Sequence, residues 1–120
     1  MADYLPLYYP GQVITRVCSA DVRGGRVVRV TGSGTVAEAG AGAADWLGVA
    51  AYDAKSGEPV TVWSDGVQRC IASGAITAGS AVLTGATGTV ASGTAAAGTQ
   101  VGIALSTAAD TALVEVKFLR

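Results

Sequence analysis

The sequence predicts an all-β protein: a compact barrel or sandwich of eight to ten short strands, with an extended arm at its N-terminus. Three observations carry this prediction. The chain repeats itself at a spacing of 54 residues, its apolar residues alternate with a period of two, and glycine punctuates it every few positions.

The repeat fixes the organisation. Shifted by 54 positions, the chain aligns with itself without a gap. Gly25, Val28, Gly34, Thr35, Val36 and Ala37 fall on Gly79, Val82, Gly88, Thr89, Val90 and Ala91. Further on, Gly48, Ala50, Ala54, Val60 and Val62 fall on Gly102, Ala104, Ala108, Val114 and Val116. Val17, Val22 and Val49 meet Ile71, Ile76 and Ile103. Single Ala and Gly matches arise by chance in so biased a chain. A run of four, Gly34-Thr35-Val36-Ala37, and a Val-x-Val pair at the same offset are harder to dismiss. The reading is one β domain over residues 13–120, made of units 13–66 and 67–120, with residues 1–12 left outside as the arm.

The arm differs in kind from the rest of the chain. Tyr4-Leu5-Pro6-Leu7-Tyr8-Tyr9-Pro10 holds three of the four tyrosines and two of the three prolines. Proline removes a backbone donor and biases its predecessor to extended conformations, so no continuous helix forms here. An extended apolar segment either joins its own barrel or lies along another molecule, where Tyr is a good anchor. The segments Gln12–Cys18 and Gly25–Val30 then read as strands, rich in Val, Ile and Thr. Gly32-x-Gly34 is a turn. Glu38–Asp45 and its counterpart Ser92–Thr99 are Ala/Gly/Thr stretches that read as loops more readily than short helices, because each interleaved Gly costs a helix about 1 kcal/mol relative to Ala. Leu47–Tyr52 is a strand, and Val60 and Val62 alternate with Thr61 and Trp63 as a strand with one buried face should. Ser64-Asp65-Gly66 has the residues of a hairpin turn. Val67–Ala72, Ser80–Thr84 and Val101–Ser106 come next as strands, and Val114, Val116 and Phe118 alternate with Glu115 and Lys117 in the last one.

Composition narrows the function. Half of the 120 residues are hydrophobic, 14% are charged and the net charge is −1. Disorder needs the opposite balance. Nucleic acid needs a basic stripe, and none is present. No apolar run approaches the length of a membrane-spanning helix. Met1-Ala2-Asp3-Tyr4 lacks the basic and apolar regions of a secretion signal, which points to synthesis and retention in a cytoplasm. Charge this sparse also suggests that part of the surface faces a partner.

Chemistry is scarce. Without a single histidine there is neither an imidazole metal site nor a Ser-His or Cys-His couple, so the expectation is no enzyme, no metal and no cofactor. Cys18 and Cys70 fit no zinc spacing and read as two buried thiols. Asp21, Asp45, Asp53, Glu58, Asp65 and Asp110 mostly sit beside Gly or Ser, where carboxylates cap turns, and no EF-hand loop is present. Gly32-Ser33-Gly34-Thr35 lacks the Gly-Lys-Ser/Thr ending of a phosphate-binding loop and reads as a turn. Arg16, Arg23, Arg26, Arg29 and Arg69 read as ordinary surface charge. Trp46 and Trp63 face Gln100 and Lys117 in the other unit, so neither position demands a core aromatic in both. Each either contacts an oligomer partner or another surface, as Trp often does at interfaces, or covers an end of the barrel.

The opening Ala2-Asp3-Tyr4-Leu5-Pro6-Leu7-Tyr8, followed by Pro10-Gly11, resembles the start of small capsid decoration proteins of tailed actinobacteriophages. Gly24-Gly25, Gly34-Thr35-Val36, Gly48-Val49-Ala50, Val60-Thr61-Val62, Ser73-Gly74-Ala75-Ile76 and Gly102-Ile103-Ala104 extend the resemblance over nearly the whole chain. It implies a barrel or β-tulip-like head-stabilising protein on the outer capsid surface of the virion. The implied partner is the major capsid protein lattice, met by a homotrimer at local three-fold positions, without nucleic acid or membrane. Tyr4, Leu5, Pro6, Leu7, Tyr8 and Tyr9 would be the capsid-binding arm, and Trp46 and Trp63 an oligomer or capsid interface. The competing expectation is a carbohydrate- or host-surface-binding module of a fibre or spike, which calls for exposed aromatics with convergent polar groups.

Overall fold

The computed structural model describes Leu7, residues 13–94 and residues 98–120. Ten strands run in chain order: β1 (Ile14–Cys18), β2 (Val27–Gly32), β3 (Thr35–Glu38), β4 (Trp46–Ala50), β5 (Pro59–Trp63), β6 (Val67–Ile71), β7 (Ala81–Thr84), β8 (Val90–Ser92), β9 (Gln100–Ala104) and β10 (Leu113–Phe118). One turn of 3-10 helix, Ala86–Gly88, is the only helical element among the described residues.

The first five strands close a barrel in the order β1-β3-β2-β4-β5, sealed by antiparallel pairing of β5 with β1 and parallel pairing of β1 with β3. The other five form a sheet in the order β6-β10-β9-β7-β8, which is the same circuit opened at one seam. Cys18 and Val36 are partners at that seam in the first barrel, and 54 residues on Ala72 and Val90 make a single parallel bridge. The backbone hydrogen bonds recur at the same interval. Val22 exchanges both with Ala54, and Ile76 exchanges both with Ala108. Gly25 N donates to Ala50 O and Gly79 N to Ala104 O, each at 2.8 Å.

Alternation explains the packing. Val60 and Val62 on β5 point inward and are fully buried, as are Val114 and Val116 on β10. One apolar cluster, Cys18, Val22, Val28, Val36, Ala50, Ala54, Val60 and Val62, fills the first barrel. A larger one holds the counterparts of all eight, from Ala72 and Ile76 to Val114 and Val116. It also takes in Val27, Ala39, Trp46 and Val49 from the first half, so the two barrels share an apolar junction. Glycine is required where strands approach most closely. A Cβ at Gly48 would run into the Trp63 carbonyl, and one at Gly102 into the Lys117 carbonyl.

One expectation needs correction. Ser64-Asp65-Gly66 is not a hairpin turn, because β5 pairs within the first barrel while β6 pairs with β10 in the second sheet. Asp65 and Gly66 both have positive φ, 68° and 72°, which is the backbone of a tight turn, but here it hands the chain from one barrel to the other. Asp65 N donates to Arg120 O and Phe118 N to Gly66 O, tying that crossing to the C-terminus. The stretch Glu38–Asp45 begins as the end of β3 and continues as loop, and Ser92 likewise ends β8.

Candidate functional site

A polar concavity of about 610 Å³ lies at one end of the first barrel and is lined by Asp21, Arg23, Glu38, Asp53, Lys55 and Glu58 among others. Its charges are engaged locally. Arg23 donates from Nε and a terminal nitrogen to the two Glu38 carboxylate oxygens at 2.9 and 3.0 Å, which holds that carboxyl below its ordinary range. Asp53 accepts from Gly24 N, Asp21 from Ser56 N and Glu58 from Lys55 N. These are turn caps. Among the described residues, no group of three or more His, Cys, Asp or Glu side chains could hold a metal ion.

Neither thiol is placed for chemistry. Cys18 is buried in the core of the first barrel and Cys70 in that of the second, both reduced. Burial pushes the Cys70 thiol up to about 12 and raises Cys18 as well, so neither forms thiolate near neutral pH. Gly32-Ser33-Gly34 is the β2–β3 turn, with Gly34 at φ 77°, as Gly88 is at 76° between β7 and β8.

Of the arm residues singled out in the sequence, Leu7 is almost fully exposed, and Tyr4, Leu5, Pro6, Tyr8 and Tyr9 lie outside the described residues. Trp46 is buried, which corrects any reading of it as an exposed contact with another molecule. Its ring meets Phe118 edge to face, with centroids 5.6 Å apart. The Arg120 guanidinium lies 4.2 Å over the ring and donates to the carbonyls of Ala44 and Trp46. It therefore locks the two barrels of one chain together.

Trp63 is half exposed on the outer face of β5, beside a shallow groove it shares with Asp65, Val67 and Gln68. Tyr52 stands near it, its hydroxyl 3.4 Å from Thr61 Oγ1. Arg29 pairs with Asp45 at 2.8 Å and Arg26 donates to Thr87 O, while Arg69 stands opposite Glu115 in the register of β6 and β10. Sequence reasoning did not single out Val67, Ile103, Leu105 and Leu113, apolar side chains about half exposed on the second barrel. The signal was available, because Val67, Ile103 and Leu113 occupy the outward phase of β6, β9 and β10.

The fold defines a class: a duplicated β module, one closed barrel and one open five-stranded sheet of the same circuit, whose polar groups are taken up largely by turns. The chain belongs to the phage cement protein family, whose model matches residues 9–118. It is therefore a structural protein associated with the phage capsid, and its place is the virion. A solved structure, the head fiber gp8.5 N base of bacteriophage phi29, is similar in fold with a TM-score of 0.72 at 23% identity, over 89% of this chain and 92% of that one. No curated protein matches significantly.

Proposed function

We propose that this protein decorates the outside of a phage head and stabilises the expanded shell, binding as a homotrimer at local three-fold positions. The observation that carries the reading is the match of the phage cement family over residues 9–118. The arm through Tyr4, Leu5, Pro6, Leu7, Tyr8 and Tyr9 is the capsid anchor, lying extended across a boundary between capsid subunits, and Trp63 adds an aromatic contact from the barrel. The barrels serve as a rigid platform built as a duplicated unit. An oligomer that touches several capsid subunits gains avidity, because its later contacts are effectively intramolecular. A protein that binds only the expanded lattice stabilises that lattice by mass action.

Tyr52 and Trp63, which share one side of the first barrel, favour the second reading, a carbohydrate-binding face. Sedimentation with empty expanded capsids separates the two. The full chain should pellet at a saturating, lattice-related stoichiometry, and removal of residues 1–12 should abolish this. Binding that survives loss of the arm refutes the anchor, and absence of binding to any capsid, with signal on a glycan array lost in Trp63→Ala, replaces the decoration reading.

A further inference from the structure

We propose that copies of this chain associate head to tail, the β2–β3 turn of one copy seating on the β7/β9 face of the next, so that the junction inside each chain is repeated between chains. This contact deepens the homotrimer reading and rests on it.

Position by position, the two barrels differ in what covers them. On the outer face of the first, Val27, Val49 and Trp63 form a cross-strand row over β2, β4 and β5. The second barrel carries the matching row Ala81, Ile103 and Lys117 over β7, β9 and β10, continued by Val67 on β6. Val27 and Val49 are buried in the junction, Val49 at 4% exposure. Ile103, the counterpart of Val49, is 43% exposed. A groove of about 280 Å³ between Ile103, Leu105, Lys117, Phe118 and Leu119 adjoins it.

One end of the second barrel packs against the Val27 end of this row and the adjoining β3–β4 loop, leaving Trp63 half exposed. Thr84 O accepts from Gly42 N, while the Thr84 hydroxyl accepts from Ala43 N and donates to Gly40 O. Gly88 N donates to Ala39 O, and Thr87 O accepts from Arg26. The same end of the first barrel consists of Val30 and the Ser33-Gly34 turn, standing where the second has Thr84 and Thr87-Gly88. Thr84 is 2% exposed and Val30 is 44% exposed.

Among the described residues, one face and one end are thus exposed, repeat counterparts of the pair that packs together inside the chain, with Ile103 on the one and Val30 on the other. Inside the chain the equivalent end and face pack together, around Val27 and Val49. Contact between unlike surfaces is heterologous, so it closes into a ring or runs on as a filament, and a trimer is the closed case.

Val30→Asp and Ile103→Lys test this by sedimentation velocity on the full chain. Both side chains are half exposed in the single chain, so the circular dichroism spectrum of each variant should match the parent, and the parent should melt higher only by the concentration-dependent increment that association adds. The parent should sediment as an oligomer and each variant as a monomer. An equimolar mixture should recover a dimer that grows no further, because the intact turn of the Ile103→Lys chain meets the intact face of the Val30→Asp chain. A monomeric parent, an assembly indifferent to either substitution, or a mixture that stays monomeric would each overturn the proposal. A parent that self-associates in this way yet never pellets with capsids supports the contact and removes the decoration reading alone.

Discussion

Replacing Trp46 with Ala should destabilise the protein severely, whereas replacing Trp63 should hardly be felt. An aromatic side chain of this size buries about 150–250 Å². At about 25 cal/mol per Å², and allowing for the Ala that remains, its removal from the junction costs about 4 kcal/mol, within the range of about 3–5 kcal/mol for Trp-to-Ala changes in cores. The edge-to-face contact with Phe118 and the Arg120 guanidinium stacked on the ring are lost with it. For a chain of this length, about 1 kcal/mol corresponds to about 4 °C in melting temperature, so the Trp46→Ala midpoint should fall by about 15 °C. Trp63 is 48% exposed, and its loss should cost under about 1 kcal/mol. Thermal melts followed by circular dichroism measure both. Fluorescence gives a second readout: with Trp63→Ala, emission from the remaining Trp46 should resist acrylamide quenching. Equal costs for the two substitutions, or easy quenching of Trp46, would refute the placement of Trp46 between the barrels.

The same geometry carries other outcomes. Gly48→Ala and Gly102→Ala should each destabilise by about 3 kcal/mol or more in denaturant titration, because the obstructing atom is a paired strand's carbonyl rather than a flexible side chain. Thr111 has φ 67° where its counterpart Gly57 has 88°, so Thr111→Gly should be neutral or stabilising by about 1 kcal/mol, and Gly57→Thr should destabilise. The Glu38 carboxyl titrates below its ordinary range because of Arg23, so its contribution is present above the unfolded value and is lost as pH falls through the folded one. Between neutral pH and strongly acidic pH the parent should therefore lose more stability than Glu38→Gln, measured as the shift in urea midpoint.

Much of the fold was legible because period-two alternation is a local signal. Val60 and Val62, or Val114 and Val116, announce an inward face without knowledge of any partner strand. The edges of the reading failed where pairing is non-local. Asp65-Gly66 has the backbone of a hairpin turn, yet β6 finds its partner in β10, more than forty residues along, and nothing in the turn encodes that choice. β3 and β8 are four and three residues long and come directly after glycine-containing turns, too short to stand out as alternation. Trp46 was illegible for a different reason. Its burial comes from Phe118 and Arg120 at the far end of the chain, and its counterpart Gln100 gives no hint of a core position.

The differences between the barrels say more about function than their likeness does. Six charged residues of the first barrel's polar end, Asp21, Arg23, Glu38, Asp53, Lys55 and Glu58, correspond to Ala75, Thr77, Ser92, Thr107, Ala109 and Ala112 in the second. The backbone is nevertheless the same there: Val22 bridges Ala54 just as Ile76 bridges Ala108. Even the turn caps are replaced in kind, Thr107 Oγ1 accepting from Ala78 N where Asp53 accepts from Gly24 N. The fold therefore forms with or without charge at these positions, although in the first barrel the charges serve as turn caps and as the Arg23–Glu38 pair. Phe118 against Ser64 obeys the opposite logic, since it is large only at the barrel end that meets Trp46. The apolar divergence at Phe118 therefore marks where barrel meets barrel, and the charged divergence marks an end of the module built to face a polar environment.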